Sequence, residues 1–381
     1  MTLPAFRFST ATQIRFGRGE ARQAVPDLAQ LGRHVLLVHG ATAQRAVWLK
    51  DALTAAGCDV SCFAVPREPD IALITAGIAA GRETGAQAVI ALGGGAVIDL
   101  GKAVAALIPA KRPMQDHLEV VGQGLPLEAD PLLFAAIPTT AGTGAEVTRN
   151  AVISVPDARR KVSLRDARML ARMAIIDPSL TDGCPRAVTL ASGLDAVTQV
   201  IEPYISSRAN PMTDALCLSA IESGLRALAT LMAHEDADAR DAMAWTSLCG
   251  GLALANAGLG VVHGLAGPLG GLSGAAHGVI CGALLPHGLA ANADHATGES
   301  ARRIAQVRDC LARALSTRPE HALTDLDAWS RDAGLPGLDA QGVTDAHRKD
   351  AAAMAASSSS MKANLVTLDE AVLRDIMDRA R

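Results

Sequence analysis

The chain has 381 residues, 49% of them hydrophobic and 19% charged, which is enough for about two globular domains of ~150 residues, each with its own core. A net charge of -4 without a basic cluster, and only 2% aromatic residues, leave no stripe for a phosphate backbone and no platform for stacked bases, so nucleic acid is excluded as an expected partner. The seven cysteines, at 58, 62, 184, 217, 249, 281 and 310, form no CxxC pair and fit reduced thiols in a cytoplasmic protein.

In chain order, Met1 to Gly17 carries Arg7 and Arg15 among strand-like residues and lacks a continuous apolar stretch, so no secretory signal is expected. Phe6 to Phe16 reads as a pair of short strands. Val35 to Val38, Cys62 to Val65 and Ala88 to Leu92 are compact β-type runs with helical patterns between them, the alternation of an open, mainly parallel α/β sheet. The apolar run Ala88 to Pro109 is long enough for a membrane span. Three consecutive glycines, Asp99 and Lys102 interrupt it, so a strand, a turn and a helix from about Val97 to Ala106 are expected, with no membrane partner. Leu132 to Pro138 and Ala174 to Ile176 add strands. Beyond Pro185 the β-type signals give way to Ala/Leu-rich helical stretches. The boundary is expected between Thr181 and Pro185, giving an α/β domain over 1–183 and an all-helical domain over 184–381. The serine patch Ser357 to Ser360 reads as a helix end or loop.

Two loops and one helix carry candidate chemistry. Val89 to Leu92 runs into Gly93, Gly94 and Gly95 and then a helix, so free amides and the helix dipole could hold a pyrophosphate that glycine lets approach. A second loop, Pro138 to Gly144, presents the hydroxyls of Thr139, Thr140 and Thr143 after the next strand. Two such loops at successive strand ends suggest a nucleotide crevice. In the helical half, Asp195 and Gln199 share one helix face, and His263 and His277 stand in a stretch that is otherwise nearly all glycine, alanine, leucine and valine, with Ser273 as its only other polar side chain. Burying an imidazole unpartnered costs on the order of 1 to 3 kcal/mol, so a shared divalent metal bound by Asp195, Gln199, His263 and His277 is one explanation. A helix cap and two unrelated histidines are the other.

The stretches ALGGGAVIDLGKAVA (91–105), IPTTAGTGAEVTRNAVIS (137–154), DPSLTDGCPRAVTLASGLDAVTQVIEPYIS (177–206), HGLAGPLGGLSGAAHG (263–278) and ALLPHGLAAN (283–292) resemble, in order, the motifs of the iron-containing (group III) alcohol dehydrogenase family. The resemblance covers nearly the whole chain. It implies the dehydroquinate synthase-like fold: an N-terminal domain with a Rossmann-like parallel sheet, an all-α C-terminal domain, and a metal and substrate site in the cleft between them. By position it places Gly94, Gly95 and Asp99 at the pyrophosphate and nicotinamide ribose. Thr139, Thr140 and Thr143 then contact the cofactor, with Gly40, Asn150, Lys161 and Leu180 completing its site. Asp195, His263 and His277 fall on metal-ligand positions and are the catalytic candidates, with Fe2+ or Zn2+ as the ion.

The chain departs from the family pattern at three points. Gln199 stands where the remaining ligand is usually histidine, and an amide oxygen binds late first-row metals more weakly than imidazole does. Gly267 replaces a histidine thought to relay the substrate proton, and Ala96 replaces a serine beside the glycines. At the end of the Val35 to Val38 strand the chain reads His39, Gly40 and Ala41, with no carboxylate to repel a 2'-phosphate. Arg45 or His39 could face that phosphate, which favours NADP over NAD. The expected activity is hydride transfer between a small alcohol and its aldehyde or ketone, in a homodimer. A metal-independent reductase of the maleylacetate reductase type and a catalytically inactive nucleotide-binding protein are the alternatives.

Overall fold

The computed structural model describes residues 5–356 and 358–381. The reading of Met1 to Pro4 as part of a leaderless start, and the Ser357 position of the serine patch, lie outside them. The chain divides into two compact units, one of Thr10–Thr140 with Ala145–Thr181, the other of Ala141–Gly144 with Asp182–Arg381 and the leading residues to Ser9.

The first unit contains β1 (Gln13–Phe16), β2 (His34–Gly40), β3 (Asp59–Val65), β4 (Ala88–Gly93), β5 (Leu133–Pro138), β6 (Asn150–Val155), β7 (Arg160–Arg165) and β8 (Met173–Ile176). Six of them form one parallel sheet in the order β1-β8-β5-β4-β2-β3. All of β4 and the middle of β2 are buried without the alternation of a half-exposed strand, because both faces of the sheet are covered. Val35, Leu37, Ile90, Leu92, Ala135 and Ile137 pack on one face with Leu28, Leu49 and Leu53. On the other face the helix Gly95–Leu107 comes so close that a Cβ on Gly101 would stand 2.8 Å from that of Ala91.

Two expectations change. Phe6 to Phe16 yields one strand, not two. The backbone at Ser9 instead pairs with a side-chain amide, donating to Asn256 Oδ1 at 2.6 Å and accepting from Asn256 Nδ2 at 2.9 Å. The antiparallel pair β6–β7 was not anticipated from the sequence: its tight connection uses Arg159 in the left-handed region (φ +50°) where a glycine or asparagine would have signalled a hairpin.

From Arg186 onward the regular structure among the described residues is helical. The helix Arg186–Tyr204 is its centre, buried continuously from Gly193 to Tyr204. Leu190 and Leu194 enter one core with Leu265, Ile280 and Leu284, whereas Val197, Val200, Ile201 and Tyr204 enter a second with Ile221, Leu285 and Leu311. With apolar side chains on two sides, its remaining side is left for Asp195, Gln199 and Glu202, spaced i, i+4 and i+7.

Candidate functional site

Helical periodicity aligns the three polar residues of Arg186–Tyr204, and two later helices bring imidazoles to them. Glycine sets the approach of both. A Cβ on Gly260 would stand 2.9 Å from Glu202 Oε1, and one on Gly278 would stand 2.5 Å from the Ala191 carbonyl oxygen. The Glu202 carboxylate therefore reaches the first turn of the helix Val261–Ser273, where it accepts the Val262 amide at 2.7 Å. Its other oxygen lies 2.7 Å from His263 Nδ1. This carboxylate is both helix cap and imidazole anchor, and it orients His263 Nε2 toward Asp195 at 3.2 Å.

His277 opens the helix His277–His295 with Nε2 3.8 Å from Asp195 Oδ1, and its ring centroid lies 5.4 Å from that of His263. One turn later, Cys281 places its sulfur 3.6 Å from His277 Nε2. The ligand atoms of Asp195, His263, His277 and Cys281 all lie within 4.8 Å of one another. Asp195, His263 and Cys281 are buried, while 35% of the His277 side chain is open to solvent.

The electrostatics of this cluster call for positive charge. Burial works to raise the Asp195 pKa, but His277, His263 and the Gln199 side chain hold the carboxyl down at about 2. Burial works to lower both imidazoles. Cys281 and Asp195 nevertheless push His277 up to about 9, and Cys281, Asp195 and Glu202 lift His263 well above its ordinary range. Either protons or a divalent cation can answer that demand, and the two compete. Gln199 distinguishes them: its amide hydrogen-bonds Asp195, while Oε1, buried, has no partner. An unmatched buried acceptor costs ~1–3 kcal/mol. A cation beside it would satisfy that oxygen as protons on the histidine rings do not, so the donor set fits a divalent metal.

The sequence reading had Asp195, Gln199, His263 and His277 but missed Cys281 and Glu202. Their signals were helical spacing, Cys281 at i+4 from His277 and Glu202 at i+7 from Asp195.

In the α/β unit the expected cofactor residues gather partly at strand ends. Gly40 ends β2, Gly93 ends β4 and Thr139 follows β5; these three strands are adjacent and parallel. Because β3 lies on one side of β2 and β4 on the other, the chain reverses direction there, the place where such sheets open a crevice. Gly94 is the extended cap of the helix beginning at Gly95, and a Cβ on it would lie 3.3 Å from Thr140 Oγ1. Asp99 accepts the Val152 amide at 3.2 Å, Asn150 donates to Ser163 Oγ at 3.4 Å, and Lys161 pairs with Glu68 at 2.5 Å. Leu180 packs against the sheet core. Thr143 belongs to the segment Ala141–Gly144 of the helical unit. His39 is buried with Nδ1 2.7 Å from its neighbour's carbonyl, whereas Arg45 is exposed. Ala96 is half-buried in the first helical turn, and nothing lies within 4 Å of a Cβ placed on Gly267.

Residues 11–178 match the family model for iron-containing alcohol dehydrogenase, and residues 189–381 match that for its C-terminal region. The chain is 37% identical over 328 residues to lactaldehyde reductase of Escherichia coli (strain K12), covering 84% of this chain and 85% of that protein. It is 35% identical over 288 residues to 1,3-propanediol dehydrogenase of Klebsiella pneumoniae, covering 74% and 73%. Among solved structures, a 1,3-propanediol oxidoreductase superposes with a TM-score of 0.89 at 30% identity, over 99% of this chain and 100% of that one.

Proposed function

The chain belongs to the iron-containing alcohol dehydrogenase family, and on that premise we propose that it interconverts a small alcohol and its aldehyde or ketone by metal-assisted hydride transfer with NADP or NAD. The observation that carries this reading is the convergence of Asp195, His263 and His277 beside the unpartnered oxygen of Gln199.

Residues 1–183 are assigned to the cofactor and 184–381 to the metal and substrate. Gly40, Gly94, Gly95, Asp99, Thr139, Thr140, Thr143, Asn150, Lys161 and Leu180 are taken as the cofactor set, and Asp195, Gln199, His263 and His277 as holding Fe2+ or Zn2+. When bound, the ion supplies Lewis acidity that stabilises negative charge on the substrate oxygen. Asp195 brings the one formal charge that offsets the ion. Glu202 keeps the proton of His263 on Nδ1 and so leaves Nε2 as a donor. Glycine at 267 offers no acid, so the substrate proton is assigned an exit past the solvent-facing side of His277. The absence of a carboxylate at Gly40 and the exposure of Arg45 support NADP over NAD. Seven cysteines outside any disulfide support a reducing, cytoplasmic setting, and the position of β1 as an edge strand of the sheet supports a homodimer.

The test is a spectrophotometric assay of purified protein with NADPH or NADH and a panel of short aldehydes, after chelation and after addition of Fe2+ or Zn2+. Turnover that chelation abolishes and metal restores is expected. Turnover indifferent to chelation would make the protein a metal-independent reductase, and none under any metal would make it a nucleotide binder without catalysis.

A further inference from the structure

The chemistry above leaves one buried donor unused. Cys281 is inaccessible to solvent, sits one turn after His277 on the same helix, and presents its sulfur to the cluster formed by Asp195, His263 and His277. The separations decide whether it is neighbour or ligand. In a tetrahedral site with bonds of ~2.0–2.1 Å to nitrogen or oxygen and ~2.3 Å to sulfur, donor atoms stand about 3.4 Å apart for N and O and about 3.6 Å apart for N and S. Here they are 3.2 and 3.8 Å between the imidazoles and Asp195, and 3.6 Å between Cys281 Sγ and His277 Nε2.

We propose that Cys281 is a direct ligand, so that the metal of this chain is held by Asp195, His263, His277 and Cys281. As the metal–sulfur and metal–nitrogen bonds form, the thiol proton and the protons on the ligating imidazole nitrogens are released to solvent. The sulfur compensates for the amide at position 199, whose buried oxygen is the weaker donor and stays beside the ion as a secondary neighbour. A soft thiolate in place of a hard oxygen moves the preference of the site from Fe2+ toward Zn2+ and Co2+. The inference rests on the reading of Asp195, His263 and His277 as metal ligands.

The experiment loads the full chain, stripped with a chelator, with Co2+ alone and records its absorption. The expected result is a near-ultraviolet thiolate-to-cobalt charge-transfer band together with the visible bands of a low-symmetry site. The band persists in Cys62→Ser and disappears in Cys281→Ser and Cys281→Ala. In competition titrations the two Cys281 variants bind Zn2+ at least tenfold more weakly, and Fe2+ with a smaller loss. Visible cobalt bands without the charge-transfer band in the unsubstituted protein, or a band that survives at full strength in a Cys281 variant, overturn the proposal while leaving the metal-dependent reading standing. Failure of the unsubstituted protein to take up Co2+ or Zn2+ overturns both.

Discussion

Glu202→Gln isolates the residue that joins fold to chemistry. The carboxylate accepts from two buried donors at 2.7 Å, the Val262 amide and, with the proton on Nδ1, the His263 ring. Glutamine retains one acceptor. If its NH2 group faces Val262, two buried donors oppose each other and the protein loses about 1–3 kcal/mol of stability. If it faces His263, Nδ1 becomes the acceptor, the ring proton moves to Nε2, and the atom that points at Asp195 is no longer a lone pair. Both outcomes weaken metal binding, by about 10- to 100-fold on the scale of substitutions behind a ligating histidine. Tenfold corresponds to about 1.4 kcal/mol. Chelator-competition titration with Zn2+ measures the dissociation constant, thermal unfolding in chelator measures stability, and nitrogen-15 shifts of the imidazole report its tautomer. A dissociation constant within twofold of the unsubstituted protein, alongside reduced stability, would refute the reasoning and reduce Glu202 to a helix cap.

Gly94→Val should abolish NADPH binding in a fluorescence titration, because even a Cβ there comes within 3.3 Å of Thr140 and the branches extend into the proposed phosphate cradle, whereas His277→Ala should leave that binding near normal and eliminate turnover. Equal loss of cofactor affinity in both would break the division of roles. Gly40→Asp is sterically free, with only Val97 Cγ2 at 4.0 Å, and should move the ratio of kcat/KM for NADPH over NADH toward NADH by tenfold or more; an unchanged ratio removes β2's end from cofactor selection. Glu146 is pushed up to about 7 from 4.5, burial raising it against the weaker pull of Lys102. Its folded form therefore holds a proton more tightly than its unfolded form, so its stabilising contribution is complete below pH 4.5 and lost as pH rises to about 7, about 3 kcal/mol in all. Chemical unfolding of Glu146→Gln at both pH values should show that slope removed, and retention of the full slope assigns it elsewhere.

The parallel sheet was legible because strands covered on both faces read as unbroken apolar runs, as in β4, and because Gly93–Gly95 mark where a strand turns into a helix. The β6–β7 pair was not, since Arg159 adopts a backbone conformation that its side chain does not advertise. The first residues misled for a different reason: strand-like composition at Phe6 to Ser9 says nothing about whether a neighbouring backbone is available, and an asparagine amide occupies that role. At the site, histidines in an apolar stretch stood out, while Cys281 looked like one more core residue. A buried thiol is chemically silent in sequence until three dimensions give its sulfur neighbours.

One helix accounts for both the stability and the reactivity of the second unit. Arg186–Tyr204 contributes to two separate cores, so its rotation about its own axis is fixed by apolar packing on either side. That rotation aims Asp195, Gln199 and Glu202 at the helices carrying His263, His277 and Cys281 without further apparatus. Bringing an anion, an unmatched amide oxygen and a second carboxylate into a sealed interior opposes folding, since each loses water. The cores on both flanks offset it, and any ligand that answers the unmet charge returns part of it. Metal affinity and thermal stability should therefore fall together for substitutions on the polar side of this helix, whereas trimming Val197 or Leu194 should lower stability first and metal affinity only as the helix loses its setting.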